Sequence, residues 1–306
     1  MKAHLKNIVV PVDFNQPSLD AIEYALDFAG HIRGKLNLVY VIETRGVIND
    51  MLQKGDELMK ITEKTKEKLE QLAEPYRKSH NTEIITHVLR GRIYKEILEF
   101  SDSIDARMII LGENHPCNSD DTTLGSTVYH LTLKSKAPVI TVKCGYKHMG
   151  KKVVVPLDLT RQSRKQVLSS LAYGIHYDAG INLVSVKIAD IKTQDSIIHG
   201  KLDKAHKSLN RNGVPATYKL YEYDRNIPPY KRVLEYAREI DADLILLLTH
   251  QEGFIHDNYI GAFAHRIINE SPIPVLSLTA TASDFNMKDI MKQIIDPFGY
   301  LFKPGK

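Results

Sequence analysis

Cysteine is almost absent from this chain of 306 residues: Cys117 and Cys144 are the whole supply. Two such residues without CxxC spacing exclude a disulfide-dense secreted scaffold and fit a reducing cytosol. Long apolar runs are missing as well, so no segment reaches the ~20 residues of a membrane-spanning helix. The first residues lack the apolar core and small-residue cleavage site of a secretory leader. Charge of one sign is scarce: 41 Lys+Arg stand against 37 Asp+Glu. That balance does not suggest a dedicated nucleic-acid binder, which usually shows a concentrated basic face. The densest charge, over residues 60–78, alternates in sign and reads as the solvated side of a helix. Also missing are a Walker A lysine, a nucleophile elbow, an HExxH pair and a Ser-His-Asp order, which leaves no catalytic residues and no metal ligands to assign. The expectation is a cytoplasmic protein that takes neither nucleic acid nor membrane as partner.

What is present is repetition. Ile8-Val9-Val10-Pro11-Val12-Asp13 returns as Val153-Val154-Val155-Pro156-Leu157-Asp158. Residues 36–41 return at the same offset as 181–186. Residues 104–111, Leu124-Gly125 and 137–140 match 240–247, Ile260-Gly261 and 273–276 at a slightly smaller offset. Five blocks in one order predict a duplicated domain, the second copy having lost a few residues between its second and fourth strands. The domains are drawn at 1–146 and 150–280, with a C-terminal tail at 281–306.

Each copy alternates strand and helix. Residues 8–12 form a continuous β-branched run, the mark of a strand buried on both faces of a parallel sheet. Leu19, Ile22, Ala25, Leu26 and Ala29 make a helical stripe that Asn15 or Ser18 can cap. Further strands are predicted at 36–42, 83–89, 108–111 and 139–142, and further helices at about 50–78, 93–100 and 127–134. Short loops between βα units imply an α/β fold with a parallel sheet and right-handed crossovers. The fold class is therefore two tandem doubly wound, five-stranded parallel-sheet domains. The connector, residues 145–150, is too short for the halves to drift far apart, so they are expected to pack as a pseudo-dimer.

In such sheets ligands bind at the carboxyl ends of the strands, where strand order reverses. Pro11 and Asp13 end strand one, and Val41 lies at the end of strand two. After strand four come Gly112 and His115, then nine residues, then Gly125-Ser126 and Thr127 opening a helix. Glycine lets backbone N–H groups come close to a phosphate. A helix N-terminus adds unpaired donors and the positive end of a dipole. The hydroxyls of Ser126 and Thr127 can bond a phosphate oxygen or cap the helix, and Asp13 can accept a bond from an adenine amino group or a ribose hydroxyl.

The pattern Gly112-x2-His115-x9-Gly125-Ser126, together with Pro11-Val12-Asp13 and Val41, resembles the nucleotide-binding branch of the universal stress proteins, which carries glycine where this chain has His115. The resemblance extends over both copies, residues 1 to about 280. It implies an adenine nucleotide alpha hydrolase-like fold, strand order 3-2-1-4-5, a dimer seam at strand five, and ATP as ligand. Asp120 and Asp121 inside the loop repel a triphosphate unless Mg²⁺ bridges them. The second copy reads Leu248-x2-Gln251-x9-Gly261-Ala262 and is expected to bind no nucleotide. Any ATP hydrolysis is expected to be slow, since no general base or arginine finger is evident.

The function expected is that of a tandem stress-response or regulatory protein with adenine nucleotide in the first domain and a protein partner or self-association. The alternative is a nucleotide-free interaction or scaffold protein working through the pseudo-dimer surface and the tail. His250, His256 and His265 match no ligand spacing. Phe285, Ile290, Met291, Ile294 and Ile295 make one face of a short tail helix, ended by Asp296-Pro297.

Overall fold

The computed structural model describes residues 6–44, 55–113, 125–146, 148–157, 164–187, 195–249 and 260–279. They form two compact units that meet between His148 and Met149. The first contains β1 (Lys6–Pro11), α1 (Gln16–Ile32), β2 (Gly34–Glu43), α2 (Gly55–Ser79), β3 (Ile84–Gly91), α3 (Ile93–Ser103), β4 (Met108–Gly112), α4 (Ser126–Lys134) and β5 (Val139–Val142). Its strands lie in the order β3-β2-β1-β4-β5, and every pairing is parallel. Ile8, Val9 and Val10 are fully buried, because the strand that starts the fold has neighbours on both edges and helices on both faces. The chain first winds away from β1 through β2 to β3, then returns to lay β4 on its other side. The switch point therefore falls between β1 and β4, with α1 leaving the end of one beside the end of the other.

The second unit repeats the arrangement with β6 (Lys152–Pro156), α5 (Arg164–Tyr177), β7 (Gly180–Val186), α6 (Asp195–Arg211), β8 (Ala216–Tyr221), α7 (Pro229–Glu239), β9 (Leu244–Leu248), α8 (Ala262–Glu270) and β10 (Val275–Leu278). Its order, β8-β7-β6-β9-β10, is the same winding, again parallel throughout. The β9 side chains are buried along the whole strand.

One detail differs from the sequence-based expectations, and parts of two others lie outside the described residues. The second helix is described only from Gly55, so the predicted start at 50–54 lies outside the described residues, as does the tail. Cys144, just after β5, is disulfide-bonded, whereas composition argued for free thiols; the chain's one other cysteine, Cys117, lies outside the described residues. The connector is anchored at both ends. Asp20, buried on α1, accepts the Gly145 N–H at 3.0 Å and the Gln16 side-chain amide at 2.8 Å. Gly145 has φ +80°, where a side chain is strained. On the other side the Tyr173 hydroxyl donates to the Gly150 carbonyl at 2.9 Å, and Asp243 accepts the N–H groups of Lys151 and Lys152 at 3.0 and 2.8 Å.

A polar ladder crosses the first sheet. Buried Asn37 on β2 accepts from His87 Nε2 at 3.1 Å and reaches Asn7 and the Ile8 carbonyl at 3.4 Å. The Phe100 ring stands 4.5 Å from the imidazole. Burial, with Lys35 second, holds His87 below its ordinary 6.5. The unfolded chain takes up this proton near pH 6.5, and the folded chain does so only at lower pH. Stability from the neutral imidazole is thus complete above 6.5 and is lost as pH falls through the folded value. Burial lowers His130 and His265 in the same direction, so His87 carries a share of the effect. In urea titrations between pH 7.5 and 5, His87→Gln should show a shallower acid loss than the wild type; parallel slopes would refute the assignment.

Candidate functional site

At the carboxyl end of β1 the Val12 N–H is held by the Val39 carbonyl at 2.8 Å, which turns the chain out at Asp13. Both Asp13 carboxylate oxygens serve the next turn: one accepts the Asn15 N–H at 3.0 Å, the other the Asn15 side-chain amide at 3.3 Å. Asn15 does occupy the N-cap position of α1, but its side chain makes no capping bond. Ser18 sits inside the helix, donating to the Asn15 carbonyl at 2.9 Å and accepting the Asp13 N–H at 3.3 Å. Between them Phe14 adopts φ +65°, a costly conformation for a bulky residue. Its ring lies 5.1 Å from Tyr40, with Lys68 Nζ 4.0 Å from its centre. Asp13 itself is exposed, so each oxygen keeps lone-pair capacity toward solvent. Pro11 is partly exposed beside it, and Val41 is buried at the end of β2.

Gly112 and Gly125 look alike in the sequence and differ in the structure. A Cβ on Gly112 would stand 2.0 Å from the Pro17 carbonyl oxygen and 2.8 Å from the Ser18 nitrogen. This glycine lets α1 start against the end of β4. Around Gly125 no described atom lies within 4 Å of a Cβ position. Gly125 and Ser126 are exposed and Thr127 is half-buried. Among the described residues no side chain caps α4. Its first-turn donors and the two hydroxyls are thus left open to a ligand. His115, Asp120 and Asp121 lie outside the described residues.

The second unit differs at the matching place. Gly261 is buried, and its N–H is donated to the Thr249 carbonyl at 3.3 Å. Leu248 fills the position of Gly112, and Ala262 that of Ser126. Gln166 on α5, fully buried, sends its amide to the Pro156 carbonyl at 2.7 Å and the Leu246 carbonyl at 3.3 Å. It stoppers the switch point between β6 and β9. The repeat aligns Gln166 with Ala21, and a polar residue replacing alanine on a core-facing helical stripe was the available signal. Asp158 lies outside the described residues.

A second feature escaped the sequence reading. Glu113, directly after Gly112, is buried, and its carboxylate is paired with the Lys143 ammonium from the end of β5. The Glu113 N–H continues the sheet ladder to the Val142 carbonyl at 3.1 Å. Burial pulls Lys143 down to about 7. The partners are 30 residues apart, so only the β4–β5 register brings them together. Among the described residues, no group of three or more His, Cys, Asp or Glu can hold a metal ion. No described helix is long and apolar enough to cross a membrane.

The two glycines are separable by stability. Gly112→Ala should lose about 1–3 kcal/mol through overpacking, while Gly125→Ala should stay within about 0.5 kcal/mol of the wild type. Equal losses in urea unfolding would contradict the assigned roles.

Comparison with known proteins agrees with this architecture. The model of the universal stress protein family matches twice, over residues 4–143 and 149–278. A universal stress protein of Methanocaldococcus jannaschii is 27% identical over 145 residues, covering 45% of this chain and 82% of the relative. A universal stress protein structure from Archaeoglobus fulgidus superposes with TM-score 0.68 at 18% identity, covering 91% of this chain and 97% of the other. A putative universal stress protein from Pseudomonas aeruginosa gives TM-score 0.64 at 15% identity, covering 95% and 96%. At such identities the structures speak for the fold, and the doubled family match speaks for the kinship: this chain belongs to the universal stress protein family and is a tandem member of it.

Proposed function

We propose that the first unit binds an adenine nucleotide, ATP with Mg²⁺, at the carboxyl edge of its sheet, and that the chain is a cytoplasmic regulatory protein of the stress response acting through conformation and protein partners. The observation that carries the proposal is the open N-terminus of α4. Gly125 leaves room above it, Ser126 and Thr127 offer hydroxyls, and among the described residues no side chain caps it. Those groups fit phosphate oxygens. Asp13 would meet the ribose or the adenine amino group, and Pro11 and Val41 would flank the base. Gly112 would shape the crevice from beneath, and His115 would line the phosphate loop. ATP brings the polyanion and Mg²⁺ its charge balance; this chain's own groups bind and orient, and none is assigned to hydrolysis.

A second reading has a specific observation in its favour. Gly112 is explained by the approach of α1, and Asp13 by the turn to Asn15. Both residues are therefore accounted for in a nucleotide-free interaction protein that works through partner or self-association.

Denaturing the purified protein and assaying for released nucleotide separates the two readings. Under the first, ATP at about 100 times its Kd stabilises the binding unit by about 2.7 kcal/mol, and Gly125→Val removes the thermal shift. No released nucleotide, with a melting temperature indifferent to millimolar MgATP, leaves the second reading standing.

A further inference from the structure

Tyr94, on the first turn of α3, gathers positive charge around its ring. The His130 imidazole from α4 stacks on it at 4.0 Å and 25°. The Arg92 guanidinium carbon lies 4.8 Å from the ring centre, and Lys134 Nζ, one further turn along α4 from His130, lies 5.5 Å from it. Arg92 and Lys134 are exposed, and His130 is half-buried. Among the described residues neither cation has a carboxylate within ion-pair reach. Glu96, the nearest acid in sequence, lies against Gly91. An aromatic face attracts a cation, but it supplies no negative charge to balance two of them. Nδ1 of His130 is enclosed and unpartnered. Burial first, then the charges of Lys134 and Arg92, hold the ring below its ordinary 6.5. The neutral imidazole therefore adds a donor at this place without adding a third charge.

The second unit answers the same problem from within. The offset that aligns Gly125 with Gly261 puts Tyr230, Arg266 and Glu270 at the positions of Tyr94, His130 and Lys134, and Pro228 at that of Arg92. No gap disturbs this match, because α3 and α7 both have 11 residues and α4 and α8 both have 9. There Arg266 donates to the Glu270 carboxylate at 3.0 Å. Burial, with that carboxylate second, holds the Tyr230 phenol above its ordinary 10.0. One acid thus serves both the cation and the tyrosine. The first unit has two cations beside its tyrosine and a lysine where that acid stands.

We propose that the α3–α4 junction of the first unit seats a phosphate dianion, free or as a monoester, held by Arg92 and Lys134 with the His130 Nε2 and the Tyr94 hydroxyl as further donors. The negative charge that Glu270 provides in the second unit comes in the first from the ligand. Two cations match the charge of the dianion, and the guanidinium fork suits its oxygens. The seat is independent of the nucleotide reading, since neither Gly125 nor the start of α4 belongs to it.

Calorimetric titration of the full chain with inorganic phosphate, in nucleotide-free buffer of constant ionic strength, tests this. The wild type should bind phosphate saturably. Lys134→Glu, which installs the residue of the second unit, should weaken binding at least about tenfold with an unchanged circular dichroism spectrum, and Arg92→Gln, a milder change at an exposed position, should weaken it in the same direction. Lys60→Glu, the same charge change at an exposed position of α2, should stay within about twofold of the wild type, and so should Gly125→Val. No saturable binding, or wild-type affinity in Lys134→Glu and Arg92→Gln, overturns the inference. Equal losses in Lys134→Glu and Lys60→Glu reduce the effect to net charge and overturn it as well. A loss in Gly125→Val places the anion at the start of α4 and does the same. Repeating the titration with glycerol phosphate separates the sources: tighter binding than inorganic phosphate assigns the seat to a phosphate ester, and weaker binding assigns it to the free anion.

Discussion

The carboxyl edge of the first unit depends on how closely α1 approaches β4. The Pro17 carbonyl occupies the space that any side chain at residue 112 would need. That approach fixes the start of α1, and with it the turn in which Asp13 holds Asn15 and Phe14 is driven to positive φ. It also fixes where the chain leaves β4, so that Glu113 enters the interior against Lys143. The crevice is therefore shaped by a backbone contact, and the polar groups around it are arranged by consequence. A glycine that permits one backbone to lie on another is a harder constraint than one that merely admits a ligand, because the neighbouring atoms cannot rotate away.

The two units show what the same scaffold does when that constraint is relaxed. With Leu248 in place of glycine, the amide of Gln166 meets the Pro156 and Leu246 carbonyls, and the Thr249 carbonyl takes the Gly261 N–H. The buried Gln166 amide and the Gly261 N–H thus find partners within the protein, as buried polar groups must. The first unit instead begins its last helix with the hydroxyls of Ser126 and Thr127, where the second has Ala262 and Phe263. The contrast arises between halves of one chain that share winding, strand order and register.

Much of the fold was legible because it rests on local pattern. The β-branched run of β1, the stripe on α1 and the repeated blocks all reflect burial, and burial leaves periodicity in a sequence. The candidate site was legible only in part. Spacing located Gly125 and Ser126 correctly at the start of α4, but spacing cannot tell a glycine that gives room to a ligand from one that gives room to Pro17. The Glu113–Lys143 pair was invisible because its partners meet through strand register. The bond from Asp20 to Gly145 spans 125 residues and was equally hidden. Cys144 was misread because a composition argument weighs numbers of cysteines and not where the fold brings them.

The anchoring of the connector has a practical consequence for dissecting the chain. Asp20 keeps Gly145 with the first unit, while Tyr173 and Asp243 keep Gly150, Lys151 and Lys152 with the second. A cut placed at the boundary between His148 and Met149 parts none of these bonds, and each fragment retains the clasp that finishes its own last or first strand. Expression boundaries a few residues to either side would leave a buried carboxylate on α1, or the Asp243 turn, without the backbone it was built to hold.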